Sequence, residues 1–400
     1  MERNNQYPII LVHGFMGYGD EDGVSRFLSG WGFGPGKNAV RHLRKNGFEC
    51  YGPAVGPINN LWDRACELYY HLVGGTVDYG KYHSEKYGHA RYGRTYPGIL
   101  KDIGTPGNHA KIHLVGHSFG GPTARMFAQL LTFGSEEEKA CTPEDELSDL
   151  FKGGKGDWVA SITTLAGVNN GTTLADYMRV GGAKAFHAGY LGLVAMLGES
   201  PFNSQLIDFH LEQWGVMANP ENKKSLYIHS PFSKRDEIKN YNKNREGGIV
   251  FEMQCKYIHE LNEKLCALPN VYYFARPAAK SHKVGDKWVV DKDASLMARV
   301  VGNMTVAGIK YADSSYGFDE DTWAEHDGFV NTEGARAPYS EPSTAWPGDD
   351  VDPKTLEKGK WYVFEPSNFD HTGLMGMGVK KDVYHDYFLS FAQQLGALPE

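Results

Sequence analysis

Short runs of apolar, largely β-branched residues punctuate the chain, and each ends in glycine or a polar turn. Pro8-Ile9-Ile10-Leu11-Val12 is the first and closes on His13-Gly14-Phe15-Met16-Gly17. Lys111-Ile112-His113-Leu114-Val115 is the second and leads directly into Gly116-His117-Ser118-Phe119-Gly120-Gly121. Runs this short, apolar at consecutive positions, predict strands buried on both faces. Segments 158–165, 271–275 and 360–364 read as further strands. Between them the spacing turns helical. Ala124, Phe127, Ala128 and Leu131 form an apolar stripe behind Pro122, which suits a first helical turn, and 382–395 predicts a final helix. Strands alternating with helices predict an α/β fold, a mainly parallel sheet with helices on both faces. No internal repeat or low-complexity linker interrupts residues 1–400, so they read as one domain. Two segments look like insertions: 56–98, rich in Gly, His and Tyr, and 171–245.

Inside the second insertion, Ala183, Phe186, Tyr190, Leu193, Val194 and Leu197 recur at helical spacing, and Leu191 and Ala195 carry apolar character onto the other side. Only Lys184 and His187 interrupt it. A helix apolar nearly all round is either core or a cover that turns an apolar face to lipid when it opens. Gly181, Gly182 and Gly198 are the hinges the second reading needs.

Composition narrows the function classes. The net charge of −8 argues against a nucleic-acid groove built on bulk positive charge. No apolar run reaches the ~18 residues of a membrane span. The first six residues hold no apolar signal core, so the sequence reads either as a mature form or as one without an export signal. Cys50, Cys66, Cys141, Cys255 and Cys266 are scattered, odd in number and without disulfide-framework spacing, which leaves the redox compartment open. The 48 glycines imply many tight turns, and 13% aromatics imply broad apolar surfaces.

The chemistry is concentrated at Gly116-His117-Ser118-Phe119-Gly120. G-x-S-x-G between a buried strand and a helix is the nucleophile elbow of α/β-hydrolases. The serine must sit on a strained turn with Oγ exposed, the glycines leave room for neighbouring backbone, and the helix N-terminus offers free N–H groups to an oxyanion. A second donor belongs on the loop after an earlier strand, where His13-Gly14-Phe15 falls, so the N–H groups of Phe15 and Phe119 are assigned as the oxyanion hole. This fold orders its triad Ser, acid, His, with the histidine after the last strand. His371 occupies that place, whereas His385 lies within the final helical pattern. Asp327, in His326-Asp327-Gly328-Phe329-Val330-Asn331, is the preferred acid among neighbours that include Asp313, Asp319, Asp321 and Asp349.

A longer block is more particular. Trp62-Asp63-Arg64-Ala65-Cys66-Glu67, Leu72-Val73-Gly74-Gly75-Thr76-Val77-Asp78-Tyr79-Gly80 and Gly88-His89-Ala90-Arg91-Tyr92-Gly93-Arg94-Thr95-Tyr96-Pro97-Gly98 resemble the thermoalkalophilic bacterial lipases, family I.5 of the true lipases. His13-Gly14-Phe15, Gly171-Thr172-Thr173-Leu174, Gln213-Trp214-Gly215 and Asp327-Gly328 share the resemblance, which runs from about residue 8 to 395. It implies an α/β-hydrolase core with a helical lid, secretion, and hydrolysis of triacylglycerols and simpler carboxylic esters, with synthetic polyesters cleaved by some members. It implies the triad Ser118, Asp327 and His371, in agreement with the residue-level choice. It further implies a structural zinc on Asp63, His83 and His89; from spacing alone, a His pair six apart in a glycine-rich loop is a weak signal. The family's fourth ligand falls in a segment where the match is lost, and Asp236, Glu237 and Glu246 all remain open. The family's calcium carboxylates fall on Gly373 and Gly378, so no calcium of that type is expected.

The expected function is therefore a serine ester hydrolase acting on a lipid or ester substrate, at an oil–water interface in the lipase case. The rivals are an esterase for short-chain esters or polyesters, a non-catalytic binding protein on the same fold, and a zinc hydrolase using His83 and His89. Chain-length preference, stereoselectivity and oligomeric state leave no mark in the sequence.

Overall fold

The computed structural model describes residues 3–20, 31–180, 208–215, 248–313 and 318–400. Its strands are β1 (Ile9–Val12), β2 (Cys50–Tyr51), β3 (Gly75–Asp78), β4 (Tyr92–Tyr96), β5 (Ile112–His117), β6 (Val159–Leu165), β7 (Tyr272–Arg276), β8 (Ser281–Val284), β9 (Lys287–Val290), β10 (Ser343–Ala345) and β11 (Trp361–Val363). Seven form one sheet in the order β10-β11-β7-β6-β5-β1-β2, every pairing parallel. β3–β4 and β8–β9 are separate antiparallel pairs. The helices that matter below are α1 (Ala39–Lys45), α2 (Leu61–Val73), α3 (Lys81–Tyr87), α4 (Gly120–Phe133), α5 (Thr173–Met178), α6 (Leu296–Gly308) and α7 (Lys381–Ala397).

The consecutive apolar runs are explained by the two cores. Along β1, Ile10 and Val12 join the core beneath α2 and α4, while Ile9 and Leu11 join the one beneath α1 and α7. In β7, Tyr273 and Ala275 alternate with Tyr272 and Phe274 in the same way. A strand between two helical layers has no wet face, so period-two patterning disappears. Trp361 of β11, fully buried, should be among the costliest core truncations, about 3–5 kcal/mol for Trp361→Ala. The predicted stripe of α4 is buried at all four positions. β6 begins one residue later than predicted because Trp158 closes a single 3₁₀ turn, its N–H bonded to the Lys155 carbonyl (3.0 Å).

Between β2 and β5, the segment read as an insertion makes α2 and the β3–β4 pair, with α3 in the connection. Asn60 caps α2 by accepting from the Asp63 N–H (2.7 Å). Of the second insertion, residues 171–180 and 208–215 are described. The expected lid helix with Ala183, Phe186, Tyr190, Leu193, Val194 and Leu197, and the hinges Gly181, Gly182 and Gly198, lie outside the described residues. All five cysteines are free. Among the described residues no helix is long and apolar enough to cross a membrane.

Candidate active site

A parallel sheet presents the carboxyl ends of its strands to one edge, and the loops there are where this fold gathers side chains. β5 ends at His117 and the chain turns at Ser118, whose φ of 56° places a non-glycine residue in the left-handed region. The turn is held by the Ser118 N–H on the Leu165 carbonyl and the Gly121 N–H on the Ser118 carbonyl, both 3.0 Å. A Cβ on Gly116 would collide with the Gly120 carbonyl, and one on Gly120 with that of Val12. Both glycines are therefore obligatory for the turn. A Cβ on Gly14 would lie 2.6 Å from Ser118 Cβ and 3.1 Å from its Oγ, so the turn after β1 lies against the serine side chain. Ser118 itself is 6% exposed. Phe119 is the N-cap residue of α4, and Phe119, Ile58 and Val168 form part of an apolar cluster against which Phe15 and Phe329 pack half-buried.

His371 follows β11 and precedes α7. Its Nδ1 lies 2.6 Å from Asp327 Oδ2. The other carboxylate oxygen accepts the N–H groups of Phe329 (2.9 Å) and Val330 (2.8 Å), and the His371 N–H donates to the Asp327 carbonyl (2.9 Å). Of the competing acids, Asp319 caps a short helix and Asp321 pairs with Lys283. His117, the residue before Ser118, donates from Nε2 to the His371 carbonyl (3.2 Å), and the two imidazoles are 4.6 Å apart. Burial, and His371 beside it, hold His117 well below the ordinary histidine range, so it stays neutral. His385, in α7, stacks on His42 at 3.9 Å.

The residues that steady these loops include one that sequence reasoning did not assign a role. Arg64, fully buried on α2, donates to the carbonyl of His13, to that of Gly56 (2.6 Å) and to Thr123 Oγ1 (3.0 Å). It thereby joins the turn after β1 to the first turn of α4. His13 is buried and donates from Nδ1 to the Gly14 carbonyl (3.0 Å) while Nε2 accepts the Val55 N–H (3.2 Å). Burial, with Arg64 adding to it, keeps this imidazole uncharged. A signal for Arg64 existed: it falls on the apolar stripe Leu61, Ala65, Leu68 and Leu72, where a charge needs partners.

A second constellation lies in the first insertion. Atoms of Asp63, His83 and His89 approach one another within 4.8 Å and could hold a metal ion. His83 lies on α3, not in the glycine-rich loop expected, with Nε2 2.9 Å from Asp63 Oδ1. His89 donates from Nδ1 to the Ala90 carbonyl (2.9 Å), so in the neutral ring Nε2 carries a lone pair; this buried atom has no hydrogen-bond partner and lies 3.9 Å from Asp63 Oδ1. A lone pair facing a carboxylate repels it, and a cation between them removes the conflict, so these residues fit a metal. Gln213 Nε2 donates to the second Asp63 oxygen (3.1 Å). Asp236, Glu237 and Glu246 lie outside the described residues. At the positions expected to lack calcium carboxylates, Gly373 donates its N–H to Asp370 Oδ1 (2.8 Å), and the surroundings of Gly378 are open.

Comparison with known proteins identifies relatives of the chain as a whole. The chain is 34% identical over 377 residues to Lipase 1 of Staphylococcus aureus, covering 93% of this chain and 51% of that protein. It thus spans about half the length of the curated relatives it matches. Among solved structures, the lipase of Staphylococcus hyicus superposes with a TM-score of 0.79 at 30% identity, covering 98% of this chain and 96% of that one. EstA from Clostridium botulinum gives 0.77 at 33%, covering 98% and 88%. Residues 5–391 match the family described as lipase-like, C-terminal domain, and the chain belongs to that family.

Proposed function

We propose that this protein is a serine carboxylic ester hydrolase of the triacylglycerol lipase type, with Ser118 as nucleophile, His371 as base and Asp327 as its orienting acid. The observation that carries the reading is a serine on a strained elbow whose preceding residue, His117, meets His371, the histidine held by a buried carboxylate. Asp327 fixes the proton of His371 on Nδ1, leaving Nε2 to take the Ser118 hydroxyl proton. Oγ then attacks the ester carbonyl, and the N–H groups of Phe15 and Phe119 receive the oxyanion. His371 returns the proton to the departing alcohol, and water repeats the sequence on the acyl-enzyme. The apolar cluster with Phe15, Phe119 and Phe329 suits an acyl chain.

Asp63, His83 and His89 would hold a structural zinc in this reading, joining α2 to the segment of α3 and its C-terminal turn. Turnover of p-nitrophenyl butyrate tests the nucleophile. Ser118→Ala should lose several orders of magnitude in kcat and all labelling by a fluorophosphonate, and a variant that keeps its activity would remove the assignment. A series of acyl chain lengths, with and without an oil–water interface, separates lipase from short-chain or polyester esterase.

A further inference from the structure

Phe329 does two things at once. Its N–H donates to Asp327 Oδ1 (2.9 Å) and its carbonyl accepts from Thr172 Oγ1 (2.6 Å), so its backbone is tied at both ends. Its ring stacks on the imidazole of His371, with centroids 5.1 Å apart and planes 24° from parallel. In the reaction above, that imidazole becomes a cation while it carries the serine proton. The groups that meet this charge can be named. Asp327 faces Nδ1, and the His117 ring, kept neutral, lies 4.6 Å away at a 39° tilt. Asp370, the preceding residue, is occupied by the N–H groups of Ser295 and Gly373 and by Thr372 Oγ1. The remaining named neighbour is the face of Phe329. An aliphatic side chain there would exclude water and so penalise the cation. An aromatic ring excludes the same water but offers the negative face of its quadrupole.

We infer that Phe329 is a positioning residue for the base: its ring holds the His371 imidazole in place and favours the imidazolium formed during proton transfer. The ring takes no proton; Nε2 of His371 receives it from Ser118 and passes it to the leaving alkoxide. This inference rests on the ester-hydrolase reading.

The test compares wild type, Phe329→Leu and Phe329→Trp in kcat/KM for p-nitrophenyl butyrate across pH 5 to 9, with fluorophosphonate titration of active sites and Tm for each. Leu keeps bulk but has no π face. It should move the acidic limb of the profile about half a unit to lower pH and reduce kcat roughly threefold, whereas Trp should keep the limb in place. Should Leu fail to fold, Phe329→Met is read the same way. An unmoved limb in the ringless variant, or equal displacement in both variants following a fall in Tm, overturns the inference and leaves only packing. If the wild type takes no fluorophosphonate, the ester-hydrolase reading falls and takes the inference with it. If wild type labels fully and the limb stays put, the inference falls alone.

Discussion

Asp327 is fixed before it meets an imidazole. Its Oδ1 is consumed by two backbone N–H groups, and its own N–H and carbonyl bond Val330 and His371. The carboxylate plane is therefore set by the loop, and Oδ2 alone is left for the histidine. In Asp327→Asn, the amide oxygen would satisfy Phe329 and Val330, and the NH₂ group would face Nδ1. That forces the proton onto Nε2, the wrong tautomer for a base. We expect kcat to fall about ten-thousand-fold with Tm little changed, as measured by ester turnover and calorimetry. A loss of less than tenfold would move the acid elsewhere. Arg64 makes a different kind of contribution. Arg64→Lys keeps the charge but lacks the planar fork that reaches three acceptors, so the His13 turn should drift from Ser118. Displacements on the order of 1 Å cost roughly a hundredfold in rate, so kcat should drop by about that factor with KM nearly held. A loss confined to KM would show that Arg64 does not set the oxyanion geometry.

At the scale of elements, the strands that face two cores were the legible ones. Their residues are apolar without interruption because both faces are covered, as β1 and β7 show. β2, with two residues, and β10, with three exposed ones, carry no hydrophobic pattern and were invisible for that reason. The β8–β9 hairpin did have a signal, Gly285-Asp286 between Val284 and Lys287, with Gly285 at φ 60° as a two-residue turn requires. The serine and histidine stood out because their neighbours are constrained: glycines that admit no Cβ and a place after the last strand. The metal trio did not, because α2 and α3 bring together residues whose spacing says nothing about their distance. That trio predicts an effect on folding. A metal held only by the native chain adds its binding free energy to stability. EDTA should lower Tm by several degrees, zinc should restore it, and residual activity at 25 °C should remain measurable. A Tm indifferent to chelation would argue that the Nε2 lone pair of His89 meets no ion.

Across the whole molecule, stability toward acid depends on histidines that the fold keeps neutral. His113, near the start of β5, is bonded to Ser161 Oγ (2.8 Å) and Asn5 Oδ1 (3.0 Å). Asn5 in turn donates to the Leu395 and Leu398 carbonyls, so this imidazole lies at the junction of sheet, amino terminus and α7. Burial, with Lys111 adding to it, pushes His113 down to about 3, and burial pushes His326, beside the acid loop, down to about 4. In the unfolded chain each would titrate near the ordinary 6.5. Between those limits the unfolded state binds the proton and the folded state does not, so stability rises with pH through the window. It is complete above 6.5 and is lost as pH falls toward the folded values. Each such histidine costs up to about 1.4 kcal/mol per pH unit within that range. Denaturant unfolding at pH 7.5, 6.0 and 5.0 should therefore show a steep decline for the wild type. His113→Gln can keep hydrogen bonds to Ser161 and Asn5 but has no proton to gain. It should start lower at pH 7.5 and decline less steeply, and parallel lines for the two proteins would show that His113 does not resist protonation in the fold.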